Sequence, residues 1–131
     1  MSVKYTVNDK GTFVYAVATG TLRPDELNKY LVDMTNNERL KPGYRELFDM
    51  TQLVESLITP ASFPEIMELI AANPKKQRGN KLAVVAGPEG SFETAREFEH
   101  LASSDVVKII VFNDIETAKV WLGVEAHQVQ S

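Results

Sequence analysis

The sequence lacks cysteine and any long apolar segment, and it carries little net charge. Without cysteine, the chain can form no disulfide and no thiolate metal site, and it has no cysteine nucleophile. No apolar run approaches the roughly 20 residues that a helix needs to cross a bilayer, so we expect no stable membrane insertion. A net charge of −4 gives no general attraction to polyanions, and we expect no nucleic-acid partner.

What the sequence does contain fits one small soluble domain. The chain has 131 residues, of which 44% are hydrophobic and 24% are charged, which is ordinary for a globular protein. A chain of this size can build one hydrophobic core. The polar N-terminal stretch has no signal-peptide core, so we expect a cytoplasmic protein. We predict a single domain at residues 1–124 and a polar C-terminal tail at residues 125–131.

The first half of the chain alternates strand and helix patterns. Residues 3–7 and 12–19 are rich in β-branched and aromatic side chains, and Asn-Asp-Lys-Gly between them predicts a β-hairpin. Apolar residues at helical spacing predict helices at 24–38 and 62–73, the second beginning with a capping box that starts at Ser62. Between these helices, the sequence Tyr-Arg-Glu-Leu-Phe-Asp-Met predicts a strand that ends near Asp49.

The second half of the chain is more regular. Lys-Leu-Ala-Val-Val-Ala-Gly and Val-Val-Lys-Ile-Ile-Val-Phe are short β-branched runs, which are typical of central parallel strands. A helix pattern follows each run, with Ser91 as the expected N-cap of one helix and Asn113 as that of the other. We therefore predict an α/β domain that has an N-terminal β-hairpin, a mixed and mostly parallel five-stranded sheet, and about four helices.

Four segments of the chain carry a family resemblance. In order, they are Leu47-Phe-Asp, Lys81-Leu-Ala-Val-Val-Ala, Thr94-Ala-Arg-Glu-Phe-Glu-His-Leu-Ala and Val111-Phe-Asn-Asp-Ile-Glu-Thr-Ala-Lys-Val-Trp-Leu. Together they resemble the SpoIIAA-like family of STAS-type domains over nearly the whole chain. The resemblance implies a small STAS-like α/β domain that is often a homodimer and non-enzymatic, with structural likeness to lipid-carrying CRAL-TRIO domains.

A ligand site is expected where the parallel strands end. Ligands of open parallel sheets bind beyond the carboxyl ends of the strands. The free amides of the helix turn at Ser91 could receive a carboxylate or phosphate group, with Arg96 as its charge partner. The candidate ligand-binding residues at this edge of the sheet are Asp49, Thr51, Gly90, Ser91, Arg96 and Asn113.

Several of these candidates also have a purely structural interpretation. Asp49 and Thr51 can bond the backbone of a turn. We favour this interpretation over a phosphorylation switch at Thr51, because the chain lacks the Asp-Ser-Ser-Gly pattern of anti-anti-sigma STAS proteins. Arg96 can pair with Glu93 or Glu99 along its own helix instead of binding an anion.

An apolar segment connects the predicted strand to the second helix. Its residues Leu57, Ile58 and Phe63 belong to a connection, and connections normally lie at the surface. A run of apolar side chains there either packs onto the core or forms a patch that binds something. Three alternatives stay open, namely a lid over a hydrophobic ligand, a dimer contact and a cap on the core.

No combination of residues in the sequence predicts catalysis. Neither histidine has a serine partner that the sequence places beside it. Glu93, Glu97 and His100 share a helix face, but no other helix offers matching metal ligands. We therefore predict no catalytic residue, no metal and no cofactor.

We predict a non-enzymatic binding domain. Its ligand would be a small apolar or amphipathic, lipid-like molecule at the carboxyl-end edge of the sheet. A carrier of this kind would have a cavity between the sheet and the helices at 24–38 and 62–73. The alternative is a STAS-type regulatory module that meets a protein partner or a second copy of the chain through an apolar surface.

Overall fold

The computed structural model describes residues 2–72, 80–104 and 107–124. The strands are β1 (Val3–Val7), β2 (Phe13–Leu22), β3 (Arg45–Ser56), β4 (Asn80–Val85) and β5 (Val107–Phe112). The helices are α1 (Pro24–Thr35), α2 (Phe63–Ala71), α3 (Ser91–Ala102) and α4 (Ile115–Leu122), and a 3₁₀ turn at Pro60–Ser62 precedes α2. The tail predicted at 125–131 lies outside the described residues, so the domain boundary at residue 124 stays a prediction.

The described strands form one mixed sheet in the order β1-β2-β3-β4-β5. β1 runs antiparallel to β2, and the other pairs of neighbouring strands are parallel. The predicted N-terminal hairpin and the mostly parallel five-stranded sheet are therefore confirmed. Each parallel strand lies beside the preceding one, which is the arrangement that short helical crossovers produce.

Helices cover both faces of this sheet. α1, α2 and α3 contribute residues such as Leu31, Ile66 and Phe98 to a large core on one face. α4 packs on the other face, where Ala118 and Leu122 belong to a smaller core. None of the helices in the described ranges is both long enough and apolar enough to span a membrane.

The alternation of β3 decides which side chains face which helices. Side chains along a strand point in turn to opposite faces of the sheet. Phe48 and Met50 belong to the core beneath α1, α2 and α3, and Glu46 has the same parity. Leu47 belongs to the core beneath α4, and Asp49 has the parity of Leu47. Glu46 and Asp49 are three positions apart, an odd number, so their side chains point to opposite faces of the sheet.

β3 is longer than the sequence predicted. Its pairing with β2 continues past Asp49 as far as Ser56, which lies opposite Leu22. Two register shifts, after Val17 and after Gly20, accommodate the extra length as bulges. The prediction that the strand ends near Asp49 is wrong, because pairing with the extended β2 keeps the following polar residues in the sheet.

Two predicted helix caps are also corrected. Ser62 makes no capping bond and has a helical backbone, because the 3₁₀ turn before α2 already contains it. α4 is capped by Asp114 rather than by Asn113, and the Asp114 side chain accepts a 2.9 Å hydrogen bond from the backbone N–H of Thr117. Hydrogen bonds from Thr117 lower the pKa of Asp114.

Strand β5 lies at an edge of the sheet, and side chains cover its outward-facing N–H groups. The backbone N–H of Val107 donates to the side chain of Ser104 at 3.3 Å. The N–H of Ile109 donates to Ser103 at 3.0 Å, and the N–H of Val111 donates to Glu99 at 2.9 Å. An unprotected edge strand is a template for pairing with another chain. These three side-chain acceptors occupy the donors that such pairing would need.

Candidate functional site

A cavity of about 620 Å³ lies between the sheet and helices α1, α2 and α3. Its sheet side is formed by residues such as Phe48 and Val84, and its helix side by Leu27, Ile66 and Phe98. These side chains are apolar and come from different elements of the fold, so the cavity exists only in the folded domain. Cavities that bind small molecules have volumes of about 300 to 1,000 Å³ and mostly apolar walls.

The cavity opens to solvent near the end of β3. Val54, Glu55, Thr59 and Glu89 line it and are themselves exposed, and we call this group the mouth. Val54 is 78% exposed, which is unusual for a branched apolar side chain beside a cavity. Ile58 also lines the cavity here and is half-buried.

Glu46 brings a carboxyl group to the inner part of the cavity wall. It is 6% exposed, and it accepts a 2.5 Å hydrogen bond from the hydroxyl group of Tyr30 on α1. Burial disfavours the charged carboxylate and raises the pKa of Glu46 to about 7, although the bond from Tyr30 acts in the opposite direction. Burial, together with the charge of Glu46, raises the pKa of the Tyr30 hydroxyl well above its ordinary value.

The charged residues of the cavity wall are acidic. Glu46 lies inside, and Glu55 and Glu89 lie at the mouth. Among the described residues that line the cavity, none is lysine, arginine or histidine. This described part of the wall can accept hydrogen bonds and attract a cation, and it has no basic side chain that would bind an anion.

Gly90 and Ser91, which the sequence predicted as ligand-binding residues, do line the cavity. Ser91 is the first residue of α3 rather than its N-cap, and Gly90 before it has a φ of +86°, which suits glycine. The Ser91 hydroxyl accepts a 3.0 Å hydrogen bond from the N–H of Gly87. This bond fixes the loop between β4 and α3, where a Cβ at Gly87 would lie 1.8 Å from the Met50 carbonyl oxygen.

Arg96 does not line the cavity. Its guanidinium group forms a 2.9 Å ion pair with Glu99, and its side chain is 55% exposed. The interpretation that Arg96 pairs along its own helix is therefore the one that fits the structure. The predicted anion site, in which Arg96 would neutralise a headgroup near Ser91, is not assembled.

Asp49 and Thr51 lie outside the cavity wall as well. One oxygen of Asp49 accepts hydrogen bonds from the N–H and the hydroxyl of Thr51, at 2.8 Å and 2.6 Å. The other accepts a 3.2 Å bond from Tyr15, whose pKa rises to about 12 through burial and the nearby Asp49. The two residues thus bond each other and the backbone, but within β3 rather than in the turn that the structural interpretation predicted.

Asn113 is exposed beside the start of α4, on the face of the sheet away from the cavity. The ends of β3, β4 and β5 do lie side by side, since Asp49 pairs with Val85 and Val85 with Phe112, but the predicted ligand residues do not all face the cavity. The reason is that the prediction used the ends of the strands and ignored the face to which each side chain points.

Only part of the apolar segment after β3 lines the cavity. Ile58 and Phe63 line the cavity, whereas Leu57 does not and is 40% exposed. The N–H of Leu57 donates a 2.8 Å hydrogen bond to the carbonyl of Leu22, so the segment is held to the end of β2. Part of the segment thus closes the cavity wall, and part of it remains at the surface.

Glu46 was missed by reasoning from the sequence. The available signal was its position two residues before Phe48 and four before Met50, in a strand that is apolar on both faces. A carboxylate at such a position has to be buried, and a buried ionisable group is a candidate for a functional role.

Comparisons with known proteins support the fold. No family model matches the chain, and no curated protein does. Among solved structures, the chain is similar to an uncharacterized protein of the DUF3478 family with a SpoIIAA-like fold, from Shewanella loihica PV-4. The likeness covers 92% of this chain and 94% of the other, with a TM-score of 0.58 and 15% sequence identity. The chain therefore has the SpoIIAA-like fold that its sequence predicted.

Proposed function

We propose that this domain binds a small apolar or amphipathic molecule in the cavity and catalyses no reaction. The observation that carries the proposal is the cavity of about 620 Å³ beneath α1, α2 and α3. Its largely apolar wall suits a hydrophobic molecule, and its mouth provides a route from solvent.

The energetics of an open apolar cavity favour an occupant. Side chains that line empty space lose dispersion contacts, which a packed interior would provide. Phe48, Ile66 and Phe98 all face such space. A hydrophobic ligand restores these contacts and removes apolar surface from water, so binding stabilises the folded domain.

Binding without catalysis is supported by the chemistry of the wall. The buried acid Glu46 has Tyr30 as its hydrogen-bond partner. The raised pKa of Tyr30 keeps its proton in place at neutral pH, so Tyr30 is a poor base. Acid–base or nucleophilic catalysis needs a second group poised beside the first, and the side chains around this pair in the core are largely apolar.

A titration with the neutral dye Nile red tests the proposal, because the fluorescence of this dye increases in an apolar site. Ala95 on α3 lines the cavity, and Ala95→Phe would fill part of it. The matched control is Val120→Phe on α4, which adds an aromatic ring at a position that is 80% exposed on the other face. We expect saturable binding to the wild type and the control and loss of binding to Ala95→Phe. Equal binding to both variants, or none to the wild type, would reject the cavity as the site.

A second candidate function, contact with a protein partner or a second copy of the chain, is favoured by two exposed apolar side chains near the end of β3. Val54 is 78% exposed and Leu57 is 40% exposed. If this surface is a dimer contact, Leu57→Glu should convert a dimer into a monomer in light scattering. An unchanged mass would remove the surface from the interface.

A further inference from the structure

The position of Glu46 indicates which polar group a ligand of this cavity carries. Glu46 and Val54 lie on the same strand. Glu46 pairs with Val14, and Leu53, next to Val54, pairs with Gly20, so at about 3.3 Å per residue the wall between Glu46 and Val54 is roughly 20 Å long. Both residues line the cavity, so it extends along β3 from the mouth to the buried carboxyl group. An elongated hydrophobic molecule that enters at the mouth would bring one end to Glu46.

The carboxyl group of Glu46 has acceptor capacity left for a ligand. A carboxylate has about four lone-pair sites on its two oxygens. Among the described residues, the hydrogen bond to this group comes from Tyr30 and reaches Oε2. Because the Glu46 side chain lines the cavity, a donor on a bound molecule can reach the remaining sites.

Among the described residues, the charges along the wall disfavour an anionic end group. A carboxylate or phosphate at this position would meet Glu46 inside, and it would pass Glu55 and Glu89 at the mouth. No lysine, arginine or histidine of the described cavity wall could neutralise it. Arg96 is directed to Glu99 instead. Like charges at close range in a poorly hydrated site repel strongly.

We propose that the ligand is a hydrophobic amine whose ammonium group binds the carboxylate of Glu46. The proposal rests on the proposed function, because it takes the cavity to be a binding site. An ammonium group supplies three hydrogen-bond donors and a positive charge, which the described part of the wall lacks. A buried ion pair is favourable only where the geometry is good and the other lone pairs are satisfied. The bond from Tyr30 satisfies one of these lone pairs and fixes one oxygen of Glu46, and the three donors of the ammonium group would reach the others.

The protonation of Glu46 adds a dependence on pH. The titratable groups around it are Tyr30 on α1, Tyr44 just before β3 and, beside a small void, Lys81 on β4. The ammonium group of Lys81 donates instead to the carbonyl of Trp121, on the other face. Since the pKa of Glu46 is about 7 without ligand, an ammonium ion finds a carboxylate above that pH and a neutral acid below it.

The test is displacement of Nile red by three compounds with the same chain, namely dodecylamine, dodecanol and dodecanoate. We expect dodecylamine to bind the wild type at least about tenfold more tightly than dodecanol near pH 8, and dodecanoate to bind most weakly. The preference for the amine should fall as the pH is lowered to about 5, because Glu46 is then protonated. This comparison uses the unchanged protein and does not depend on the folding of any variant.

Two substitutions locate the effect. Glu46→Gln keeps the shape of the side chain and removes its charge, so it should abolish the preference for the amine. Glu97→Gln removes the same charge at an exposed position of α3 outside the cavity wall and should leave the preference in place. If the wild type binds the alcohol or the carboxylate as tightly as the amine, or if Glu46→Gln retains the preference, the proposal is wrong while the cavity remains a binding site. If Nile red and all three compounds fail to bind, the proposed function fails as well.

Discussion

The hydroxyl group of Tyr30 donates a 2.5 Å hydrogen bond to the carboxyl group of Glu46, and both side chains are buried beside the cavity. Two opposing effects meet in this pair. Burial raises the pKa of Glu46, whereas the bond from Tyr30 stabilises the carboxylate and lowers it. The result, a pKa of about 7, gives the cavity an acid that changes its charge near neutral pH.

This pair makes the stability of the protein depend on pH. The pKa of Glu46 rises from its ordinary 4.5 to about 7 on folding, so between these values the folded state keeps a proton that the unfolded state has released. The free energy of unfolding therefore falls as the pH rises through this window and levels off above it. At about 1.4 kcal/mol per pKa unit, the contribution lost is on the order of 3 kcal/mol.

Glu46→Gln should remove this contribution to the pH dependence. We expect urea denaturation to show that the stability difference between wild type and variant changes by on the order of 3 kcal/mol between acidic and neutral pH, to the advantage of the variant at high pH. Tyr30→Phe removes the bond that lowers the folded-state pKa of Glu46, so it should move the upper end of the window to higher pH and leave the lower end in place. If the free energy of unfolding depends on pH in the same way for wild type and Glu46→Gln, the burial of an ionisable carboxyl group is contradicted.

The corrected cap of α4 gives a second prediction. Asp114→Ala removes the side chain that accepts from the N–H of Thr117 and should lower the stability of the protein. Asn113→Ala changes the exposed neighbouring residue and should stay within about 0.5 kcal/mol of the wild type. Chemical denaturation of the two variants measures both values. A larger loss of stability for Asn113→Ala than for Asp114→Ala would contradict the Asp114 cap and support Asn113, the cap that the sequence predicted.

The protected edge of β5 gives a third prediction. Glu99→Ala frees the N–H of Val111, an outward-facing donor at the edge of the sheet. We expect this variant to self-associate at lower concentration than the wild type in light scattering, because exposed edge donors pair with other strands. Arg96→Ala is the matched control, since it removes the ion pair with Glu99 but leaves the bond to Val111. If both variants behave alike, the ion pair rather than the edge bond explains the effect.

The sequence predicted the fold because its signals are local. The β-branched runs at Leu82–Val85 and Val107–Val111, and the turn between β1 and β2, each determine an element from a few neighbouring residues. The extension of β3 past Asp49 could not be predicted in this way. Its polar residues are held extended by pairing with β2, which is a contact between distant parts of the chain.

The candidate site was predicted less well, because its composition depends on the faces of the sheet. Gly90 and Ser91 lie at the start of α3, one of the helices that cover the cavity, so their position in sequence was sufficient to place them in its wall. Asp49 and Asn113 were assigned to the same site from their places at strand ends, but they face α4 or the solvent beside it. Glu46 was hidden because one acidic residue in a strand pattern is normally solvated.

The central claim is that the cavity holds a hydrophobic molecule, and native mass spectrometry tests it most directly. The protein would be purified gently from its own host, together with Ala95→Phe as the variant in which the cavity is filled. The account predicts that the wild type carries an extra mass that disappears on denaturation and that Ala95→Phe lacks it. A wild type that appears only at the mass of the bare chain, or an equal extra mass on both proteins, would contradict the claim.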